Sequence, residues 1–360
     1  MSVEQCFNHD AKYDLHRNVA DFQPSVWGNY FLQYASDSEY VELDENIEAE
    51  IKTLKYDVRK MLVAKSEKPS PYAAWVLAIT LKMKLKRIWN IFTETILLRQ
   101  QGLHVSPNVF NKYMDDKGNF SETLINDVEG MLSLYEATHL MIHGEDILEE
   151  ALAFTTTHLE SIANQSSHSH AIQVKHSLRQ AIHKNIPRLE ARRFISIYEQ
   201  DPFHIENLLL FAKLNFNMLQ SLHKKEFGIL CKWWNDLDVH NKLPYARDRL
   251  TESCFWALTI YFEPQYSTIR KIMMKLITAL TIIDDTYDAY RTIDELELFT
   301  KAIERWDICG LDNLPDYMKF LYRILFDLNK EIEEEAIKEG IVYAMNYYKN
   351  LKYDLSSSFY

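Results

Sequence analysis

Glycine and proline are scarce in this chain, at 8 and 9 of 360 residues, below the usual shares of about 7% and 5%. All-β folds and glycine-rich nucleotide-binding folds need many such turns, so the scarcity leaves helices. Cysteine is thin as well: Cys6, Cys231, Cys254 and Cys309 stand far apart with no CxxC pair, which indicates neither a disulfide framework nor a zinc site. Positive charge is in deficit. The net charge of −12 is spread along the chain and offers no footprint for a phosphate backbone, which excludes nucleic acid as the expected partner. Long apolar runs are missing too, because the longest, "AAWVLAI", falls far short of the roughly 18 residues of a membrane span. The first thirty residues carry Glu4, Asp10, Asp14 and Asp21, unlike a secretory or arginine-rich targeting leader. A cytoplasmic chain with reduced thiols is the expectation.

What the chain does have is aromatic mass and helical periodicity. Seven Trp, 21 Tyr and 18 Phe suffice to fill a large core and still line a pocket, and 360 residues exceed what one ordinary domain holds. "NIEAEIKTLKYDVRKMLVAK" spaces apolar residues at helical intervals, and so do "FSETLINDVEGMLSLYEATHL", "EDILEEALAFTTTHLESI" and "HIENLLLFAKLNFNMLQSLHKKEFGILCKWWNDL". Short breaks between them predict stacked antiparallel helices. The break at Gln200 to Phe203, with Pro202, divides the chain into expected domains of 1–200 and 201–360. Residues 79–92, "ITLKMKLKRIWNIF", alternate lysine and apolar residues with period two and make no single helical face, so a membrane-surface helix is disfavoured there.

Chemistry concentrates in "TIIDDTYDAY", residues 281–290, directly behind the apolar "IMMKLITALTII". Taken as one helix at about 100° per residue, Ile269, Ile272, Met273, Leu276, Ile277, Leu280 and Ile283 form one stripe. On this wheel Asp284 falls inside the stripe, Asp288 at its edge, and Asp285 points away. Asp284 and Asp288, an i, i+4 pair with Cβ atoms about 5–6 Å apart, are therefore expected to face the interior together. Two like charges 4 Å apart cost about 1 kcal/mol in water and about 4 kcal/mol at an effective dielectric of 20, and a helix C-terminus adds its own negative end. A cation must offset this, and oxygen-only ligands suit Mg²⁺ or Mn²⁺ with phosphates completing the shell. The stripe then lines a cavity with the carboxylates at its mouth.

Upstream, "LPYARDRLTESCFWAL" sets Arg247 and Arg249 two apart at the start of another helix. Paired arginines are commonly weak surface ion pairs; beside a metal site they can stabilise a departing diphosphate. Trp256, near Phe255 and Tyr261, is a core aromatic by default. Beside a carbocation, however, a ring face supplies roughly 0.5–2 kcal/mol without acting as a nucleophile.

"LPYARDRLTESCFWALTIYFEPQYS" followed by "IIDDTYDAYRTIDELELFTKAIERWD" closely resembles the plant class I terpene synthases. "RNVADFQPSVWGNYFL", "LLRQQGLHVSPNVFNKY", "LSLYEATHLMIHGEDILEEALAFTTTHLES" and "LLLFAKLNFNMLQSLHKKE" are similar to the same family, in order. The resemblance implies an all-α protein with an N-terminal α-barrel-like domain and a C-terminal isoprenoid-synthase domain. By it, Asp284, Asp285 and Asp288 are Mg²⁺ ligands, Arg247 and Arg249 clamp the diphosphate, and Trp256 lines the pocket. The substrate expected is a prenyl diphosphate, farnesyl diphosphate for a sesquiterpene product, and the protein a monomer.

The chain departs from the family pattern at several points. Arg17 is followed by Asn18 before Trp27, where the family pairs two arginines ahead of the tryptophan. Residues 71–95 do not match and read as shortened, and Arg291 stands where glycine is usual. No second metal motif of the form (Asn/Asp)-Asp-x-x-(Ser/Thr)-x-x-x-Glu follows Asp288, and "DLNKEIEEEAIKE" reads as a solvated helix face. An incomplete catalytic domain is expected from this, and the alternative function is a truncated, catalytically silent fragment or splice product.

Overall fold

Apolar residues at helical spacing make Glu45–Val63 a helix, α1, with Ile51, Leu54 and Val58 buried along one face. In the computed structural model the described residues are 22–23, 25–35, 45–63, 98–99, 102–164, 171–202, 204–290, 292–305, 311 and 313–341. Among them the fold is helical, and β pairing is confined to one isolated bridge, Met114 with Phe120. The all-α expectation therefore holds. The anomalous 71–95 segment, Arg17, Arg291 and the C-terminal "YDLSSSFY" lie outside the described residues.

The periodic stretch at residues 120–140 folds in two pieces because Asp127 stops and restarts it. Its carboxylate accepts the Gly130 N–H at 2.9 Å, so a 3-10 turn over Glu122–Asn126 gives way to helix α2, Val128–Thr138. Then come α3 (Asp146–Asn164), α4 (Ala171–Arg179), α5 (Pro187–Glu199, with Pro at its first turn) and α6 (Glu206–Leu237). After a single turn at Val239–Lys242, the remaining helices are α7 (Leu250–Ile260), α8 (Ser267–Asp285), α9 (Ile293–Arg305) and α10 (Asp316–Lys338). By compactness the chain divides into residues 42–221 and a second unit of 1–41 with 222–360. No helix among the described residues is long and apolar enough to cross a membrane.

In the 42–221 unit, α2 packs on α3 and α3 on α4. Met131, Leu132, Leu134, Leu148 and Leu159 are wholly buried at its centre. Arg99 pins the loop ahead of α3: its guanidinium reaches Glu145 Oε2 at 2.5 Å and Oε1 at 2.7 Å, and donates to the carbonyls of Val105 and Leu140. That guanidinium holds the Glu145 carboxyl below the usual carboxylate range. Glu136 is treated oppositely. It is 1% exposed, only Oε2 accepts a well-formed bond, from the Ile182 N–H at 2.9 Å, and burial pushes its carboxyl up to about 8.

The second unit is organised by a buried ion pair. Arg270 is wholly buried on α8, and its Nε and Nη2 each reach a Glu226 oxygen at 2.7 Å, while Nη1 donates to the carbonyls of Tyr261 and Glu263. Ser267 Oγ donates to Glu226 as well. Every charge is thus matched by donors or acceptors, the condition under which a desolvated pair is tolerated. Nearby, Gly228 on α6 admits the 3-10 turn Tyr30–Tyr34: a Cβ there would lie 2.5 Å from the Ala35 nitrogen. The Phe31 ring settles 4.4 Å from that of Phe227.

Two measurements test these assignments. Glu226→Ala strands the Arg270 charge and is expected to cost about 3–5 kcal/mol in urea unfolding, whereas Glu226→Leu combined with Arg270→Met stays close to wild type. For Glu136 the folded value is raised, so its contribution is fully present below the ordinary carboxylate range and is lost as pH rises through about 8. Unfolding at pH 5, 7 and 9 is expected to show wild-type stability declining with pH and Glu136→Gln flattening the decline.

Candidate functional site

Helix α8 carries the acidic motif, and its rotation differs from the one its apolar periodicity predicts. Arg270, Met274, Thr278, Ile282 and Asp285 form the tightly buried row. Of the predicted stripe, only Ile283 is buried; Ile272, Met273, Leu276 and Ile277 are half-buried, and Ile269 and Leu280 are exposed. The periodicity misleads because three members of the buried row are polar and satisfied. Arg270 has Glu226, the Thr278 hydroxyl donates to the Met274 carbonyl at 2.8 Å, and Asp285 has Arg247. A side chain counted as outward on hydropathy is stable inside once it is hydrogen-bonded.

The same rotation corrects the expected orientation of the aspartates. Asp285 is the inward one, 1% exposed, and Asp284 is open to solvent at 58% of its side chain. Asp288 is also exposed. Nor is the motif one regular helix: α8 ends at Asp285, and Thr286–Tyr290 form a π turn. A π turn takes more residues per revolution than an α turn, so the simple wheel misplaces Asp288 relative to Asp284.

Arg247 joins the two sequence motifs. It lies in the loop at residues 243–249, brought against the end of α8. Its backbone N–H donates to Asp285 Oδ2 at 2.7 Å, and its Nη2 donates to Asp284 Oδ2 at 2.8 Å. Nε sits 2.5 Å from Asp285 Oδ1, a close charge contact whose angle falls outside hydrogen-bond geometry. Burial raises the Asp285 carboxyl above its ordinary range, and the Arg247 N–H and guanidinium pull it back only in part. The Phe22 ring lies 5.0 Å from the same guanidinium.

The other expected residues are looser. Arg249 is one-third exposed, with Glu252 Oε1 3.8 Å from its Nε and its own Nη1 donating to the Asp248 carbonyl. Trp256 is 65% exposed on α7, beside the exposed Phe255. Two residues went unnoticed in the sequence. Tyr245, buried in the arginine loop, bonds Thr286 Oγ1 at 2.9 Å, and Thr286 donates to the Ile282 carbonyl at 2.7 Å. A threonine four residues after a helical carbonyl is a recognisable signal for such a back-bond; nothing in the sequence marks Tyr245.

Fit to a divalent cation can be tested on the donor set. A Mg²⁺-type ion takes oxygen ligands only, with one or two carboxylates and the rest from water or phosphate. Asp284 and Asp288 are exposed carboxylates and fit that requirement, while both oxygens of Asp285 are taken up by Arg247. Among the described residues no group of three or more His, Cys, Asp or Glu gathers into a cage, so outside oxygens must complete the shell.

Known proteins supply the context. The profile described as "Terpene synthase family, metal binding domain" matches residues 235–360, and "Terpene synthase, N-terminal domain" matches residues 92–181. The chain is 47% identical to (-)-germacrene D synthase of Vitis vinifera over 93% of this chain and 64% of that one. It is 43% identical to probable terpene synthase 2 of Ricinus communis, over 97% of this chain and 67% of the relative. In space it is similar to isoprene synthase of grey poplar, solved with three Mg²⁺ ions and dimethylallyl-S-thiolodiphosphate, with TM-score 0.76 and 33% identity. That similarity covers 87% of this chain and 65% of the other. The chain thus spans about two thirds of the length of these relatives.

The contrast in burial between the two adjacent aspartates sets an expectation. Arg247→Ala leaves Asp285 desolvated without its partner and is expected to cost about 2–3 kcal/mol in urea unfolding, less than a fully enclosed pair because the arginine is itself partly open. Adding Asp285→Asn should recover part of that loss, and Asp284→Asn alone should cost under about 1 kcal/mol.

Proposed function

From the premise that this chain belongs to the terpene synthase family, we propose that it ionises a prenyl diphosphate, farnesyl diphosphate foremost, toward a sesquiterpene. The observation that carries this reading is Arg247 bound to both Asp284 and Asp285, which gathers guanidinium and carboxylates, distant in sequence, at one end of α8. A divalent cation held by Asp284 and Asp288, Mg²⁺ foremost and Mn²⁺ as a substitute, would neutralise and polarise the diphosphate.

The chain's own residues have the following parts in that reading. Arg247 uses Nε and Nη2 toward the aspartates, which leaves Nη1 outside both contacts and able to meet a phosphate oxygen. Arg249, weakly engaged at 3.8 Å, turns to the same anion. Forked guanidinium donors favour the charge-separated diphosphate over its ester, and that preference is what lowers the barrier. Met273, Leu276 and Ile277, half-buried on the open face of α8, offer walls that neither attack nor protonate an allylic cation. The exposed ring of Trp256 can stabilise positive charge by its face. Exclusion of water is a requirement of this chemistry, since water quenches carbocations.

The decisive assay supplies farnesyl or geranyl diphosphate with Mg²⁺ and separates volatile products by gas chromatography. Farnesyl diphosphate is expected to yield sesquiterpene, lost on chelation of the metal and in Asp284→Asn with Asp288→Asn. A cooperatively folded chain that gives no product from either substrate rejects the activity and leaves the family membership intact.

A further inference from the structure

We propose that Tyr245 and Thr286 are positioning residues that set the acidic motif for its cation by coupling the arginine loop to the π turn; this rests on the function proposed above. Thr286 is wholly buried and Tyr245 is 2% exposed. The Thr286 hydroxyl has one proton, and it goes to the Ile282 carbonyl at 2.7 Å, an atom that can only accept. The 2.9 Å bond to Tyr245 therefore runs from the phenol to the threonine oxygen. The chain of donors is directional: Tyr245 to Thr286, Thr286 to Ile282.

Its location gives it a role. The Thr286 backbone N–H is shared between the carbonyls of Ile282 and Ile283 as α8 ends. A hydroxyl competing for that carbonyl loosens the regular i to i−4 pattern, and the π turn begins at this residue, Thr286–Tyr290. Asp284 and Asp285 lie ahead of the change in helix type and Asp288 lies within it. Two residues beyond Tyr245 stands Arg247, bound to Asp284 and Asp285. The loop thus holds the motif at two points, by charge at the aspartates and by a neutral hydrogen bond at the turn. Removing the neutral bond leaves Asp284 and Asp285 held by Arg247 but lets the Asp288 turn relax toward a regular helix, changing its offset from Asp284. Partners that orient ligands without touching the metal typically account for 10–100-fold in metal affinity.

The test is Mn²⁺ binding, with and without inorganic pyrophosphate, followed by electron paramagnetic resonance on the full chain. Tyr245→Phe and Thr286→Val are each expected to weaken Mn²⁺ about tenfold, and the double variant no more than Thr286→Val alone, because the threonine variant already removes the bond that Tyr245→Phe breaks. Thr286→Ser keeps the hydroxyl and should bind as wild type. Thr278→Val is the control, since Thr278 makes the same back-bond on α8 to Met274 and should keep wild-type affinity even if its unfolding midpoint falls. Unchanged affinity in Tyr245→Phe, an equal loss in Thr278→Val, or additive losses in the double variant overturns the proposal. If Thr286→Val fails to fold, Tyr245→Phe, which preserves the ring and its packing, decides alone. A wild-type chain that binds no Mn²⁺ overturns the metal centre itself and the proposal with it, whereas wild-type binding with no loss in Tyr245→Phe overturns the proposal alone.

Discussion

Two guanidinium–carboxylate pairs set the rotation of α8, and everything at the candidate site follows from that rotation. Arg270 near the helix start reaches across to Glu226, and Asp285 at its end is met by Arg247. Each pair joins the helix to a segment some forty residues earlier. Desolvated charges of this kind add little net stability, but they tolerate no other register, because any rotation leaves a charge buried and unpaired. The hydrophobic contribution of α8 is overridden: its apolar stripe alone would turn Ile269 and Leu280 inward, and both are exposed.

The division of labour between adjacent aspartates is a consequence. Asp285 is buried, raised above the ordinary carboxylate range by desolvation and held by one arginine. Asp284, one residue on the other side, is open to solvent. Successive residues on a helix point about 100° apart, so a buried and a solvent-facing carboxylate can be neighbours in sequence. Arg247 spans both, which ties the loop at residues 243–249 to the two carboxylates.

The 42–221 unit shows the other treatment of buried charge. Arg99 and Glu145 are paired, and the guanidinium holds the Glu145 carboxyl below the usual range, whereas Glu136 accepts a backbone N–H from Ile182 and burial pushes it up to about 8. One carboxylate thus binds a loop and the other is neutral in the interior near neutral pH, with the difference made by the presence or absence of a guanidinium within reach.

Helix content, the order of the helices and the position of the acidic and basic motifs were legible from the chain alone. Low glycine and proline content and 3.6-residue spacing are local properties, and they account for α1, α3 and α6 nearly to their ends. The split at Asp127 and the π turn at Thr286 were not legible as such, since each depends on one side chain's choice of partner. Which aspartate faces inward was decided by tertiary structure alone. Periodicity counts Arg270, Thr278 and Asp285 as outward residues, and only the arrival of Glu226 and Arg247 from elsewhere in the chain makes their burial favourable. Local sequence determines how strongly a segment prefers a helix; where partners for its buried charges come from is a property of the fold.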